Sequence, residues 1–369
     1  MEGARPLTLT ELRGQGFRNL APLALCPGPR FNVLHGDNGQ GKSNLLEAID
    51  YLGTLRSFRG AAAQDLIAKG AERADLAAVL EGEPLPRQLR VGLSRSRPRE
   101  VSVDGKRLRT RSAYLATLPS VLFHPGDLQL VSGAPELRRA FLDRLLEQLD
   151  ATYASSLEAY ERALRSRNRL LRAERPERAA VRAYDEVLAS AGAVVARTRA
   201  HTLAELSPAV QQAYAEVSGG PHTLALRYEP RVAPELQALR SALESSLDKD
   251  LLRGFTAEGP HADEIAIELD GHGAKRFGSQ GQQRAIVLAL KVVELTELTR
   301  RVGRVPVLLL DDVSSELDPG RNLRLFGLLG ELGGQVFLTT TQPELIRLQG
   351  ERVDYRVEAG TLTRAGEGR

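Results

Sequence analysis

GDNGQGKS occupies residues 36–43, with the apolar run FNVLH (31–35) before it and NLLEAIDYL (44–52) after it. The octet fits G-x-x-x-x-G-K-[ST] between a strand and a helix, the setting in which that pattern carries meaning. Gly36, Gly39 and Gly41 allow the backbone N–H groups to curl around an anion, and the helix start adds its positive end. Asp37, Asn38, Gln40 and Asn44 complete the loop and its exit. Lys42 would reach the outer phosphates of a nucleotide, and the Ser43 hydroxyl would ligate Mg²⁺. The expected cofactors are therefore ATP and Mg²⁺.

A P-loop needs an acidic partner. VPVLLLDD (305–312) supplies consecutive aliphatics, as in a strand buried on both faces of a parallel sheet. Asp311 and Asp312 fall at its C-terminal end, where such sheets bind ligands. Asp311 would hold Mg²⁺ through water, and Asp312 would polarise the attacking water. Together with Lys42, Asp312 is the expected catalytic pair.

FGSQGQQR (277–284) opens another helical stretch, AIVLALKVVELTELT. A serine and glycines at a helix start present hydroxyl and N–H donors to an anion. The chain already has a phosphate cradle at Lys42, so a second implies a shared nucleotide. Ser279, Gln280, Gly281 and Gln282 resemble the ABC-type signature, commonly LSGGQ, with a rearranged first half. In that class one subunit's signature touches the γ-phosphate on the other subunit's P-loop. SSELD (314–318) resembles the loop that passes between two such sites, which places Ser315 and Asp318 at an interface. Gln129 is a candidate for the glutamine that links the two lobes of such heads and senses Mg²⁺.

The rest of the chain is compatible with this head. Its 369 residues, 42% hydrophobic and 26% charged, allow about two domains. Nothing is apolar for long enough to span a membrane: the longest run of Val, Ile and Leu alone is VLLL (307–310). The N-terminus lacks the apolar core of a signal peptide, and a single cysteine, Cys26, suits a reducing cytoplasm. Strand patterns fill the first ~125 residues, with QLRVGLSR and REVSVDGKRL mirrored about Asp104-Gly105, a hairpin dipeptide. From Pro135 to Gly219 apolar residues step by three and four, predicting a helical hairpin broken at Arg175-Pro176. Strands return at HTLALRY (222–228), EIAIELDG (264–271), QVFLTTT and RVDYRVEAGTLTR, with a helix near 319–332. The predicted fold class is α/β: an ABC-type head with a mixed sheet (1–125 and 220–369) and an inserted helical lobe (126–219).

The stretch between Ser43 and Ser279 is too short for the long coiled coil of SMC-like proteins. A transporter ATPase subunit is the alternative reading. Transporters place a histidine after the strand that follows the acidic strand, where this chain has Thr339, Thr340 and Thr341, and they carry Glu where it has Asp312. Seven segments in order carry a closer likeness: GFRNL, NGQGKSNLLEAIDYLGTLRSFRG, GDLQLVSGAPELRRAFLD, LRSRNRLLR, RGFTAEGPHADE, SQGQQRAIVLALK and LLLDDVSSELDPGR. Nearly end to end, the chain resembles the RecF family. Ala262 departs from it where many relatives have arginine, and Tyr184 where tryptophan is usual. The resemblance implies ATP-driven homodimerisation, slow hydrolysis and cytoplasmic DNA repair. Its implied partners are double-stranded DNA near single-strand gaps and RecR, with RecA loading as the outcome.

Two arginine-rich segments are candidate DNA contacts. Residues 87–111 carry nine basic groups against two acidic, and residues 162–182 carry eight against two, within a net charge of +3. Arg95, Arg97, Arg99, Lys106, Arg107 and Arg109 in the first, and Arg165, Arg167 and Arg169 in the second, would contact phosphates without reading sequence. The competing reading is solvated surface arginine. Arg56 and Arg59 could serve the nucleotide or an interface, or be ordinary surface arginines. Arg138 and Arg139 match paired arginines of the family, but could equally form structural salt bridges. His261 is expected to be structural or near an interface.

Overall fold

The computed structural model describes residues 5–82, 85–115, 117–312, 327, 333–346 and 348–365. SSELD, with Ser315 and Asp318, and most of the helix expected near 319–332 lie outside the described residues. The chain divides into two compact units, Met1–Asp127 with Glu294–Arg369, and Leu128–Val293.

The first unit contains two six-stranded sheets. One runs in the order Thr361–Arg364, Arg352–Glu358, Phe31–His35, Val336–Thr340, Val307–Leu310, Ser120–Phe123. Its strands are parallel except Thr361–Arg364. Its inner strands are aliphatic because both faces are covered: all four residues of Val307–Leu310 and all five of Val336–Thr340 are buried. The other sheet is antiparallel, ordered Leu23–Leu25, Thr8–Gln15, Arg73–Glu81, Arg87–Ser94, Glu100–Val103, Lys106–Arg107. Here burial alternates, so Leu89, Val91 and Leu93 face inward while Gln88 and Arg90 face solvent. Asp104 and Gly105 turn the predicted hairpin with φ of 52° and 74°, the left-handed pair that a tight turn of this kind requires.

The helix Lys42–Thr54 shares one apolar core with both sheets. Its Leu45, Leu46, Ile49 and Leu52 are fully buried with Leu12, Leu76 and Leu89 from one sheet and Val307, Leu309 and Phe337 from the other. Buried Gln335 ties the sheets by hydrogen bonds. Its side-chain oxygen accepts from the Leu9 N–H at 2.8 Å, and its amide donates to the Leu9 and Gly28 carbonyls at 3.0 and 2.8 Å. A buried amide with its bonds made holds register, whereas an unsatisfied one would cost stability.

The second unit is built from the helices Pro135–Leu149, Ala151–Leu171, Asp185–Ser218 and Leu236–Arg253 with a three-stranded sheet. Asp150 caps the second helix, accepting from Thr152 N and Tyr153 N at 2.7 and 3.1 Å. The expected hairpin is present, and a short helix, Arg178–Arg182, follows Arg175-Pro176. One boundary is corrected. Residues 220–293, expected in the ATPase lobe, belong to this unit, because Leu224–Glu229 pairs with Glu264–Leu269 rather than joining the nucleotide-side sheet. That strand packs on the helix Asp185–Ser218, which a local hydrophobic pattern does not reveal. The fold is α/β, an ABC-type P-loop head with a helical lobe, and its longest described helix has 34 residues, so no long coiled coil emerges.

Candidate functional site

The parallel sheet assembles the site. Phe31–His35 leads into the 36–43 loop, and Val307–Leu310 leads into Asp311-Asp312. Val336–Thr340 lies between them and pairs with both. Because all three strands run the same way, the loop and the aspartates emerge at one edge.

The loop takes the shape its glycines permit. Gly36, Gly39 and Gly41 have φ of 146°, 80° and 111°. A Cβ on Gly36 would sit 2.3 Å from the Val357 carbonyl oxygen, whereas one on Gly39 would meet no atom within 4 Å. Gly36 is thus required by backbone contact, and Gly39 by its φ at an open face. Gln40 anchors the loop: its carbonyl accepts from Gly360 N at 2.8 Å and its side chain from Ala359 N at 2.6 Å. The following helix has no acidic residue in its first turn, so nothing there offsets its positive end.

Lys42 is nearly buried, and its Nζ donates to the Gly36 and Asp37 carbonyls at 2.6 and 2.9 Å. Burial lowers its pKa, while Asp312, Asp311 and Asp37 oppose the shift. The aspartates are fixed by Thr339, a residue the sequence marked only as the absence of a histidine. The Thr339 hydroxyl donates to Asp311 Oδ1 at 2.9 Å and accepts from the Asp312 N–H at 2.9 Å. Asp312 takes a left-handed φ of 50°, an uncommon conformation for a residue other than glycine. One hydroxyl therefore fixes the Asp311 carboxylate and the Asp312 backbone at the strand end. Asn44 and the helix behind it are braced by GFRNL: Asn44 donates to Asn19 Oδ1 at 2.6 Å, and Arg18 grips buried Glu47 through Nε and Nη2, both at 2.9 Å. Arg59 donates to Asn44 Oδ1 at 2.7 Å and lies 3.7 Å from Glu47, so it buttresses this helix. Arg56 is exposed.

In the second unit the signature segment caps the helix Gln280–Val302. Ser279 Oγ accepts from Gln282 N at 3.2 Å while Gln282 Oε1 accepts from Ser279 N at 2.8 Å, a reciprocal capping box. Ser279 and Gln280 are exposed, and Gly281 and Gln282 are partly buried. The segment is a shaped helix start with its serine at the surface. Gln129 is exposed and begins the short helix Gln129–Ser132.

The candidate DNA residues separate into groups. Arg167 is corrected: it is fully buried, bound to Asp185 at 3.0 Å and to Asp250 and Thr256 at 2.8 Å, so it cannot touch DNA. Arg99 donates to the Leu55 carbonyl at 2.7 Å and the Tyr51 hydroxyl at 3.0 Å, and Arg95 donates to the Ala71 carbonyl at 2.9 Å; both are committed to local structure. Arg107 and Arg165 are exposed with loose acidic neighbours, Glu100 at 3.7 Å and Glu161 at 3.8 Å. Arg97, Lys106, Arg109 and Arg169 are exposed. Arg138 pairs with Glu264 at 2.9 Å, and Arg139 donates to the Asp263 carbonyl, which makes both structural. His261 is structural too. Its Nε2–H donates to the Thr256 carbonyl at 2.9 Å, its Nδ1 accepts from the Tyr160 hydroxyl at 2.5 Å, and burial lowers its pKa. Among the described residues no cluster of His, Cys, Asp and Glu is arranged to hold a metal, and no helix is long and apolar enough to cross a membrane.

Residues 8–361 match the family model described as the RecF/RecN/SMC N terminal domain. The chain is similar to the DNA replication and repair protein RecF of Anaeromyxobacter sp. (strain Fw109-5), at 42% identity over 97% of this chain and 99% of that protein. It is similar to the same-named protein of Myxococcus xanthus (strain DK1622), at 39% identity over 92% of each. Among solved structures it superposes on the recombination mediator protein RecF-ATP of the RecFOR pathway with a TM-score of 0.87, at 30% identity over 99% of both chains. A Pyrococcus furiosus Smc head domain at 17% identity, with a TM-score of 0.55 over 97% of this chain and 96% of its own, shares the fold. The chain belongs to the RecF family.

Proposed function

We propose that this chain is an ATP-dependent, DNA-binding recombination mediator acting at single-strand gaps and duplex junctions. Two copies close on DNA when ATP binds, slow hydrolysis resets them, and with RecR they help load RecA. The observation that carries the ATP-binding part is the single sheet edge bearing Lys42 beside Asp311 and Asp312, with Thr339 holding both aspartates. The left-handed glycines and the open face at Gly39 fit a triphosphate. Mg²⁺, when bound with ATP, would neutralise phosphate charge, and Ser43 and Asp311 are the residues to hold it, with Gln129 as the sensing glutamine.

Asp312 would orient water for attack on the γ-phosphorus, breaking the bond to the β-phosphate and giving ADP and phosphate. Aspartate is shorter than glutamate, and Thr339 stands where transporters have their histidine. Both features suit a slow ATPase that acts as a timer. Ser279, at the surface on a capped helix start, is the group that would complete another copy's site; Gln280, Gly281 and Gln282 would add donors around the same γ-phosphate. A C₂ dimer follows if each copy supplies what the other lacks. Ser315 and Asp318 are proposed for the same interface.

The test is sedimentation of wild type and Ser279→Arg with ATP and duplex DNA. Wild type should dimerise with ATP and carry DNA, while Ser279→Arg should stay monomeric. Dimerisation of Ser279→Arg to the wild-type extent would remove the shared site, and wild type that never co-sediments with DNA would remove the DNA reading.

A further inference from the structure

The outward face of the antiparallel sheet carries an ordered row of arginines drawn from distant parts of the sequence. Arg13 pairs with Ala77, Ala77 with Arg90, Arg90 with Ser102, and Ser102 with Arg107. One register line therefore crosses five strands as Arg, Ala, Arg, Ser, Arg. The strands lie ~4.8 Å apart, so successive arginines are ~10 Å apart and the row is ~19 Å long. The small residues between them, with Gly92, leave a shallow concavity of about 630 Å³ lined by all three.

We propose that this row is a contact surface for the phosphate backbone of duplex DNA. The inference rests on the DNA-binding reading above and adds where the DNA lies. Arg13 and Arg107 have 69% of their side-chain surface exposed. Their acidic neighbours, Glu11 at 3.0 Å and Glu100 at 3.7 Å, have 42% and 48% of their side-chain surface exposed, and such solvent-reached pairs exchange at little cost. Arg90 makes no side-chain hydrogen bond or ion pair among the described residues. Exposed guanidinium groups on a surface without a protruding helix suit phosphates rather than base edges.

The neighbouring register line reads Gln15, Asp75, Gly92, Glu100. Asp75 there is held by Arg73 at 2.7 Å. With Asp75 paired to Arg73, the neighbouring line carries little net charge, so the arginine line is the more cationic of the two and a phosphate chain would follow it across the strands. At about 3.4 Å of rise per phosphate on one strand, the row matches roughly five to six base pairs. The arginine-rich sequence runs alone do not show this surface, because Arg13 lies far from them and Arg95 and Arg99, inside one, are committed elsewhere.

The experiment measures affinity for two 20-base-pair duplexes of unrelated sequence against salt, with ATP, for wild type and the triple variant Arg13→Ser, Arg90→Ser, Arg107→Ser. Each phosphate contact contributes about 0.9 to the slope of log affinity against log salt. The triple variant should lose between two and three units of slope and bind both duplexes at least tenfold more weakly, with ATP-driven dimerisation unchanged. Ser102→Glu, which keeps all three arginines and adds a negative charge to their row, should also weaken both duplexes severalfold. A wild-type slope in the triple variant, or unchanged affinity in Ser102→Glu, overturns this surface while leaving DNA binding intact. Loss of binding to a purified acidic protein with DNA affinity unchanged would reassign the face to a protein partner. Absence of DNA binding by wild type would sink the broader reading instead.

Discussion

The two units differ in their buried arginines: among the described residues the helical unit has Arg138, Arg139, Arg167 and Arg199, and the nucleotide-side unit has none. The nucleotide-side unit buries aliphatic strands and gathers Lys42, Asp311 and Asp312 at a strand edge, where they can meet a ligand. The helical unit places charges inside. Arg167 sits among Asp185, Asp250 and Thr256, and Arg199 holds Asp143 through two bonds of 2.8 Å and donates to the Pro260 carbonyl. A buried guanidinium is tolerable because carboxylates and carbonyls surround it, and removing one partner leaves the others uncompensated. The lesson is that arginine count says little about a binding surface until burial is known.

The largest effect should come from Arg167→Ala. Breaking this buried set should destabilise the protein by about 3–5 kcal/mol, read as a lower denaturant midpoint. A loss near zero would mean that the pairs contribute nothing and the contrast is false. Next is Asp312→Asn, for which hydrolysis should fall roughly 100-fold or more in single-turnover assays while ATP-driven dimerisation persists. Equal loss of both would make Asp312 a binding residue.

Thr339→Val removes the hydroxyl that joins the two aspartates without changing shape much. Turnover should drop on the order of tenfold, since one net hydrogen bond is worth about 1 kcal/mol and geometry relaxes with it. Stability should change less than turnover, and the reverse result would make the threonine a core residue.

Acid should act on the helical unit first. Burial holds the folded pKa of His261 below its ordinary value of 6.5, and its fixed bonds to Thr256 and Tyr160 suit the neutral ring. The unfolded chain therefore takes up a proton more readily, so stability present above about pH 6.5 declines as pH falls below it. His261→Gln should flatten that part of the stability–pH curve, and an unchanged curve would assign the decline elsewhere. The smallest effect is expected from Arg165→Ala, whose exposed Glu161 neighbour is 3.8 Å away; within about 0.5 kcal/mol nothing should change. Arg165 and Arg167 are two residues apart, and they differ in burial and in the close partners that burial demands.

Much of this was legible in the chain. The P-loop, the acidic strand and the helix-opening signature announce themselves because each needs particular residues at fixed local spacing: left-handed glycines, a lysine at the helix start, aliphatics before paired acids, serine three residues before glutamine. The strands Arg73–Glu81 and Ser120–Phe123 are less legible, since an alternating ADLAAVLE and a four-residue SVLF acquire their meaning from neighbours far away in sequence. Thr339 carried no positive signal, because its role depends on a hydroxyl reaching across from one parallel strand to the end of the next.

By itself, then, the sequence determined the local chemistry: a phosphate-binding loop, two carboxylates after a buried strand, a capped helix start and a basic composition. Tertiary structure decided which charges face solvent and which strands share a sheet. It removed Arg167 from the surface, moved residues 220–293 into the helical unit, and brought Arg13 into line with Arg90 and Arg107. The physical reason is range. Turns, caps and loops are set by residues a few positions apart, whereas burial and strand register are set by pairings across the whole chain.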